Sequence, residues 1–217
     1  MSSNIWESVF SSRSWGQYPP EDLVRSATLN SRSLPTPKRV LELGCGPGAN
    51  SLFLSSLYDH YAAIDFSPSA IDQTRNRLAN VQISTDLHVG SFVDLPWPSS
   101  YFDLVVDNFS LYANNLVDIS STLSSIKRVL KPNSLFFSKT WGVECCGLEK
   151  RFQVSPFTYN HLEVGPCAGF GLSTFFDLDL INRIYKPFFK SVIISERRIK
   201  TVGMNDMIHD FILHCHS

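Results

Sequence analysis

The sequence predicts an α/β fold built on a mainly parallel sheet with helices on both faces. One observation is alternation: from residue 39 to residue 141, short apolar runs bounded by turn residues take turns with stretches of helical periodicity, the pattern of parallel strands joined by helical crossovers. The other is VLELGCGPG at residues 40–48, a glycine-rich turn closing the first apolar run of the series. Sheets of this kind bind ligands at the carboxyl ends of their strands.

The elements follow in chain order. RVLELG (39–44) reads as a short buried strand, and GANSLFLSSLY (48–58) as a short helix carrying Leu52, Phe53, Leu54 and Leu57. YAAIDF (61–66) is a second strand. After it, Ser67 or Ser69 can cap a helix that begins around Pro68, since a side-chain oxygen satisfies the free N–H groups of a first turn and proline fits there. ISTDLHVGSF (83–92) and FDLVVDNF (102–109) supply a third and a fourth strand. In 117–131, Ile119, Leu123, Ile126 and Leu130 recur at spacings of three and four, which predicts an amphipathic helix ended by Pro132 and Asn133. SLFFSKTW (134–141) is a fifth strand. Residues 142–176 are aromatic and glycine-rich without clear periodicity, and the aromatics of 152–176, Phe175 and Phe176 among them, fit a closed, apolar-lined pocket. A helix at 177–185 and strands at 191–200 and 207–215 follow.

Neither a repeat nor a linker divides the 217 residues, so one domain is expected over 1–217. With 43% hydrophobic and 18% charged residues the composition is that of a folded globular chain. The formal net charge of -1 gives no field to attract nucleic acid or an anionic membrane. The basic stretches KRVLK (127–131) and ERRIK (196–200) read as solvated faces. The opening residues have no unbroken apolar core, so a cytoplasmic location is expected. Five scattered cysteines lack chelating spacing, and no metal is expected.

The glycine loop can be parsed in two ways. Gly44, Gly46 and Ala49 fit G-x-G-x-x-A, a pyrophosphate cradle; Gly44, Gly46 and Gly48 fit G-x-G-x-G. Glu42 shares the strand face of Gly44, and a carboxylate beside a pyrophosphate is costly. Pro47 removes one N–H donor that a phosphate would use. Asp65 ends the second strand, 21 residues after Gly44, where an acid accepts hydrogen bonds from ribose hydroxyls. That supports an adenosine-containing ligand on either parse.

VLELGCGPGANSLFL, AAIDFSPSAI, VGSFVDLPWPSSYFDLVVDNFSL and IKRVLKPNSLFFSKTW, in order and at normal spacing over residues 39–141, resemble the class I S-adenosylmethionine-dependent methyltransferases. The resemblance implies a Rossmann-like, seven-stranded sheet whose last strand is antiparallel and inserted beside the fifth, with S-adenosylmethionine as cofactor. It puts Glu42, Gly44, Gly46 and Gly48 around the methionine part, Asp65 on the ribose and Phe66 against the adenine. Where the family commonly has an acid after the third strand, this chain has Ser91 followed by Phe92, so the adenine contact falls to them and to backbone groups. Asn108, Phe109 and Ser110 are placed under the methyl group. A narrower similarity, to a bacterial-type subgroup of small-molecule methyltransferases, rests on WGQYPPEDLVRS (15–26) and GPCAGFGLSTFF (165–176). It implies an N-terminal helical lid over residues 1–37, with Trp15 and Tyr18 folding over the site, and a substrate-facing insertion at 142–176.

The turn after the fourth strand reads DNFSLY, without the proline pair of enzymes that methylate amide nitrogens in nucleic acids and proteins. A small-molecule acceptor, methylated on oxygen or nitrogen, is therefore expected, in a monomer or homodimer. An oxygen acceptor needs a base. His161 in the irregular segment is the first choice, then Tyr112; Glu144 and His88 are further candidates. The rivals are a degenerate member that binds the cofactor or a protein partner without catalysis, and a nicotinamide-dependent oxidoreductase. The second would need a Tyr-x-x-x-Lys dyad that is not present.

Overall fold

A computed structural model describes residues 2–12, 16–203 and 206–217. Two helices, α1 (Ser2–Ser12) and α2 (Glu21–Arg32), precede the alternating series. That series runs β1 (Arg39–Leu43), α3 (Ser51–Leu57), β2 (His60–Asp65), α4 (Pro68–Leu78), β3 (Ser84–Val89), β4 (Phe102–Asn108), α5 (Leu116–Val129) and β5 (Leu130–Trp141). After an insertion come α6 (Leu178–Tyr185), β9 (Ser191–Lys200) and β10 (Met207–His216). The sheet has seven strands in the order β3-β2-β1-β4-β5-β10-β9. The first five are parallel, and β10 runs antiparallel between β5 and β9. The last strand thus lies beside the fifth, as the resemblance implied.

Pleating sends neighbouring side chains to opposite faces, and Phe136 and Phe137, both fully buried, show the consequence. Phe136 joins Val105, Phe211 and the inner stripe of α5 (Ile119, Leu123, Ile126) with α6; Phe137 joins Val40, Val106, Leu23 of α2 and Leu54 of α3. Each buried side chain of this size contributes roughly 1.5–3 kcal/mol. Local chemistry sets the helix starts. Ser67 Oγ accepts from Ala70 N (3.0 Å) at α4, Asn115 from Asp118 N at α5, and Asp177 from Leu180 N at α6.

Two elements differ from expectation. Helix α5 stops at Val129 and the chain enters β5 at Leu130, so Pro132 and Asn133 lie inside the strand rather than ending the helix. The β4–β5 register slips there, between Phe102 and Leu104, which absorbs a proline that has no N–H to give. The 142–176 segment is also more ordered than its pattern suggested. It forms a three-stranded sheet of β6 (Gln153–Ser155), β7 (Thr158–Tyr159) and β8 (Ser173–Thr174). Its Phe175 and Phe176 are buried in the core near α6 instead of lining a pocket. Among the described residues no helix is long and apolar enough to cross a membrane.

Candidate functional site

The loop from Gly44 to Asn50 joins β1 to α3 at the carboxyl edge of the sheet. Gly44 N donates to Ile64 O of β2 (2.8 Å), and Gly46 N donates to Asp65 Oδ2 (2.9 Å). Gly44 has φ +60, and a Cβ there would stand 2.3 Å from Ser110 Cβ, so only glycine fits. Gly46 has φ +52 and faces the Phe10 ring, 3.4 Å from where its Cβ would be. Gly48 faces Ser51 and Thr74 of the flanking helices, away from the cavity.

Asp65 ties the loop to the next helix. Oδ1 accepts from Ser67 N (2.9 Å) and Oδ2 from Gly46 N. Burial raises its pKa above the usual carboxylate value, with backbone donors from Ser67, Gly46 and Phe66 pulling the other way. Glu42 lies under the loop, 1% exposed, accepting from Asn50 Nδ2 (2.7 Å) and the Tyr61 hydroxyl (2.5 Å). Burial pushes its pKa up to about 7.

A cavity opens above these groups. Gly44, Asp65, Phe66 and Phe92 form one side, Phe109, Ser110, Ala113 and Asn114 the other, and Trp6 and Phe10 of α1 the roof. Phe66 and Phe92 meet with centroids 5.7 Å apart. Phe109 adopts φ +58, a strained conformation for an aromatic residue. It stacks on Trp141 at 4.0 Å and 20°, with the Lys139 ammonium 5.1 Å from its ring. The buried Asp107 holds that turn by accepting from Ser110 N, Ser110 Oγ, Leu111 N and Ser138 Oγ.

Of the residues expected from sequence, Gly44, Asp65, Phe66, Phe92, Phe109 and Ser110 meet at the cavity. Glu42, Gly46 and Gly48 lie beneath or behind it. Ser91 accepts from its neighbour Val93 N (3.2 Å), and neither Ser91 nor Asn108 is among the lining residues. Tyr18 is 84% exposed and covers nothing, and Trp15 lies outside the described residues. Within the 1–37 segment it is α1, through Trp6 and Phe10, that lines the cavity. Both expected bases fall away from the cavity lining. Tyr112, 4% exposed, is packed in the core with its pKa driven well above 10 by burial. His161 sits exposed on the insertion at φ +57. Glu144, exposed, is spent on Arg198, and His88 pairs with Asp86. Sequence reading missed Trp6, Phe10, Asn114 and Asp107. The one signal was IWESVF, whose aromatics are four apart and share a helix face.

The donor set distinguishes the two ligand classes. Asn50 Oδ1 and Asn108 Oδ1, at the start of α3 and the end of β4, are buried acceptors with no partner among the described residues. With Glu42 and Asp65 they make the loop's surroundings acceptor-rich and acidic. That suits an amino acid's ammonium and a sulfonium; a pyrophosphate needs donors. Among the described residues no three His, Cys, Asp or Glu gather as metal ligands do.

An open parallel sheet with this loop, an acid after β2 and β10 inserted antiparallel beside β5 is the Rossmann-like architecture of the class I methyltransferases. The comparisons agree. A family model described as a methyltransferase domain matches residues 40–133. A demethylmenaquinone methyltransferase of Clavibacter sepedonicus is 33% identical over 112 residues, which is 52% of this chain and 44% of that protein. Among solved structures, an S-adenosylmethionine-dependent methyltransferase of Methanosarcina mazei superposes with a TM-score of 0.66 at 18% identity, over 86% of this chain and 96% of that one. A 1,6-didemethyltoxoflavin N1-methyltransferase of Burkholderia thailandensis, solved with S-adenosylhomocysteine, gives 0.65 at 14% identity, over 91% and 78%. The chain spans about half the length of the curated relatives it matches. Over residues 40–133 and in its fold the chain is similar to the class I S-adenosylmethionine-dependent methyltransferases, which use S-adenosylmethionine as cofactor.

Proposed function

We propose that this chain transfers a methyl group from S-adenosylmethionine to a small, flat, largely apolar acceptor. The observation that carries this is the cavity itself. Asp65 stands at its ribose end, Phe66 and Phe92 offer faces for an adenine, and Phe109 and Trp6 supply aromatic walls. When bound, the cofactor supplies an electrophilic methyl group with a neutral thioether as leaving group.

The protein's part is alignment and exclusion of water. Holding two reactants in line supplies roughly 7–11 kcal/mol of such a barrier. Phe109, fixed by the Trp141 stack and the Asp107 turn, gives the acceptor a rigid wall. Asp65 is the one titratable side chain among the described lining residues, and on this reading the ribose occupies it. No side-chain base then faces the acceptor, which favours nucleophiles that arrive ready: a neutral amine, or the oxygen or carbon of an acidic phenol or enol. The names of the relatives, demethylmenaquinone and didemethyltoxoflavin methyltransferases, support a small ring acceptor.

Calorimetry with S-adenosylmethionine, S-adenosylhomocysteine and NAD tests the reading. Binding of the first two and not the third is expected; micromolar NAD affinity with no response to the others would sink it. Tight S-adenosylhomocysteine binding without turnover on any metabolite pool would favour the non-catalytic rival. Asp65→Ala is expected to cost on the order of 2–4 kcal/mol of cofactor affinity through two charge-assisted bonds. An unchanged affinity removes Asp65 from the site.

A further inference from the structure

The roof comes from an element far from the cofactor motifs in sequence, and one carboxylate fastens it. Glu7 Oε2 accepts from Ser67 Oγ (2.5 Å) and Ser69 N (3.3 Å), and Oε1 accepts from Ser69 Oγ (2.5 Å). Its charge therefore sits at the amino end of α4, where the helix dipole favours an anion. One turn on, Gln73 Nε2 donates to Phe10 O (2.8 Å). Together these bonds lay the α1 face carrying Trp6 and Phe10 across the cavity. Phe10 stands where a Cβ on Gly46 would meet its ring, and Trp6 stacks on Phe170 of the insertion at 5.1 Å and 18°. Ile5 fills the space a Cβ on Gly171 would need.

The fastening matters because of what lies beneath it. With α1 in this position the free volume is about 60 Å³, against the roughly 300–1,000 Å³ of pockets that enclose drug-sized ligands. A nucleoside joined to an amino acid needs more room than this, and lifting α1 supplies it. Among the ties that must break, the polar ones of Glu7 lie at the rim, beside the apolar packing of Val9 and Phe10 on Ala70. Glu7 is only partly buried, and the hydroxyls of Ser67 and Ser69 can turn to water once it leaves.

We propose that Glu7 is a positioning residue of the cofactor site. Its carboxylate latches α1 to the amino end of α4 through Ser67 and Ser69, seating Trp6 and Phe10 over the cofactor, and the latch opens for each exchange. This rests on the cofactor reading above. It assigns to Glu7 no contact with the reacting atoms.

The test uses the full chain with S-adenosylhomocysteine as probe, followed by stopped-flow tryptophan fluorescence, with amide hydrogen exchange of α1 measured on the ligand-free protein. In Glu7→Ala, both association and dissociation are expected to quicken by about tenfold, the ratio that loss of a charge-assisted bond produces. The dissociation constant should move less than either rate, and α1 amides should exchange faster while those of β1 and β4 do not. Glu7→Gln keeps the side chain's length and one acceptor, so it should fall between. A purely structural role would lower the melting temperature without speeding both rates. Should Glu7→Ala fail to fold, Ser69→Ala removes one arm of the latch and carries the same expectation. Rates within twofold of wild type, with α1 exchange unchanged, overturn the latch. A wild-type chain that binds no S-adenosylhomocysteine overturns the function instead. The ligand-free exchange measurement tells the two failures apart.

Discussion

Glu42 offers a test of how the loop stores charge. The side chain is buried, and among the described residues its hydrogen-bond partners are the neutral donors Asn50 and Tyr61. Loss of hydration outweighs those two bonds, the charge of Asp65 adds to it, and the pKa rises from 4.5 to about 7. The rise means that the folded chain holds this proton more tightly than the unfolded chain. The associated stability is fully present below about pH 4.5 and is lost as pH climbs through 7. At ~1.4 kcal/mol per tenfold change, the loss amounts to roughly 3 kcal/mol. Glu42→Gln cannot ionise, keeps an acceptor for Asn50, and turns its amide toward the Tyr61 oxygen at a cost of about 1 kcal/mol. The variant should therefore be more stable than wild type by ~2 kcal/mol at pH 8 and no more stable at pH 5, so the two curves cross. Urea unfolding from pH 5 to 8, with the slope m held common, measures this. Asp65 and Asp107, also raised by burial, remain in both proteins, so the difference isolates Glu42. Parallel curves would refute the argument. A second readout is proton release: an ammonium held near the loop favours ionised Glu42, so at pH 6.5 the binding heat of S-adenosylmethionine should vary with the buffer's own ionisation heat.

Two further substitutions probe the site's edges. Gly44→Ala forces a left-handed alanine and drives its methyl into Ser110; left-handed strain of ~1–2 kcal/mol and overpacking of ~1–3 kcal/mol predict a loss of about 2–5 kcal/mol in denaturant unfolding. S-adenosylhomocysteine binding should weaken with it, and an unaltered dissociation constant would take Gly44 out of the site. His161→Ala, on the exposed insertion, is expected to leave kcat and KM within about twofold of wild type, as surface changes outside such features do; a tenfold fall in kcat at constant KM would restore histidine as the base.

The sequence by itself determined the alternation of strands and helices, the position of the glycine turn at a strand end, and Asp65 after the second strand. These are local facts: period-2 and period-3.6 patterns, capping residues and turn glycines are written within a few residues of where they act. The resemblance added the antiparallel insertion of the last strand, which periodicity could not order. Contacts between distant segments were decided only by the tertiary structure. Glu42 seemed a cofactor contact because it shares a strand face with Gly44, but that face is covered by the loop, Asn50 and Tyr61. Tyr112 and His161 carry the right chemistry, yet packing buries one and the insertion's turn leaves the other in water. The aromatics of 142–176 looked like a pocket lining and proved in part to be core, since Phe175 and Phe176 close the sheet near α6. The roof shows the division most plainly. IWESVF reads as a plain amphipathic stretch, and its meaning lies in Ser67 and Ser69, some sixty residues away in sequence and one hydrogen bond away in space.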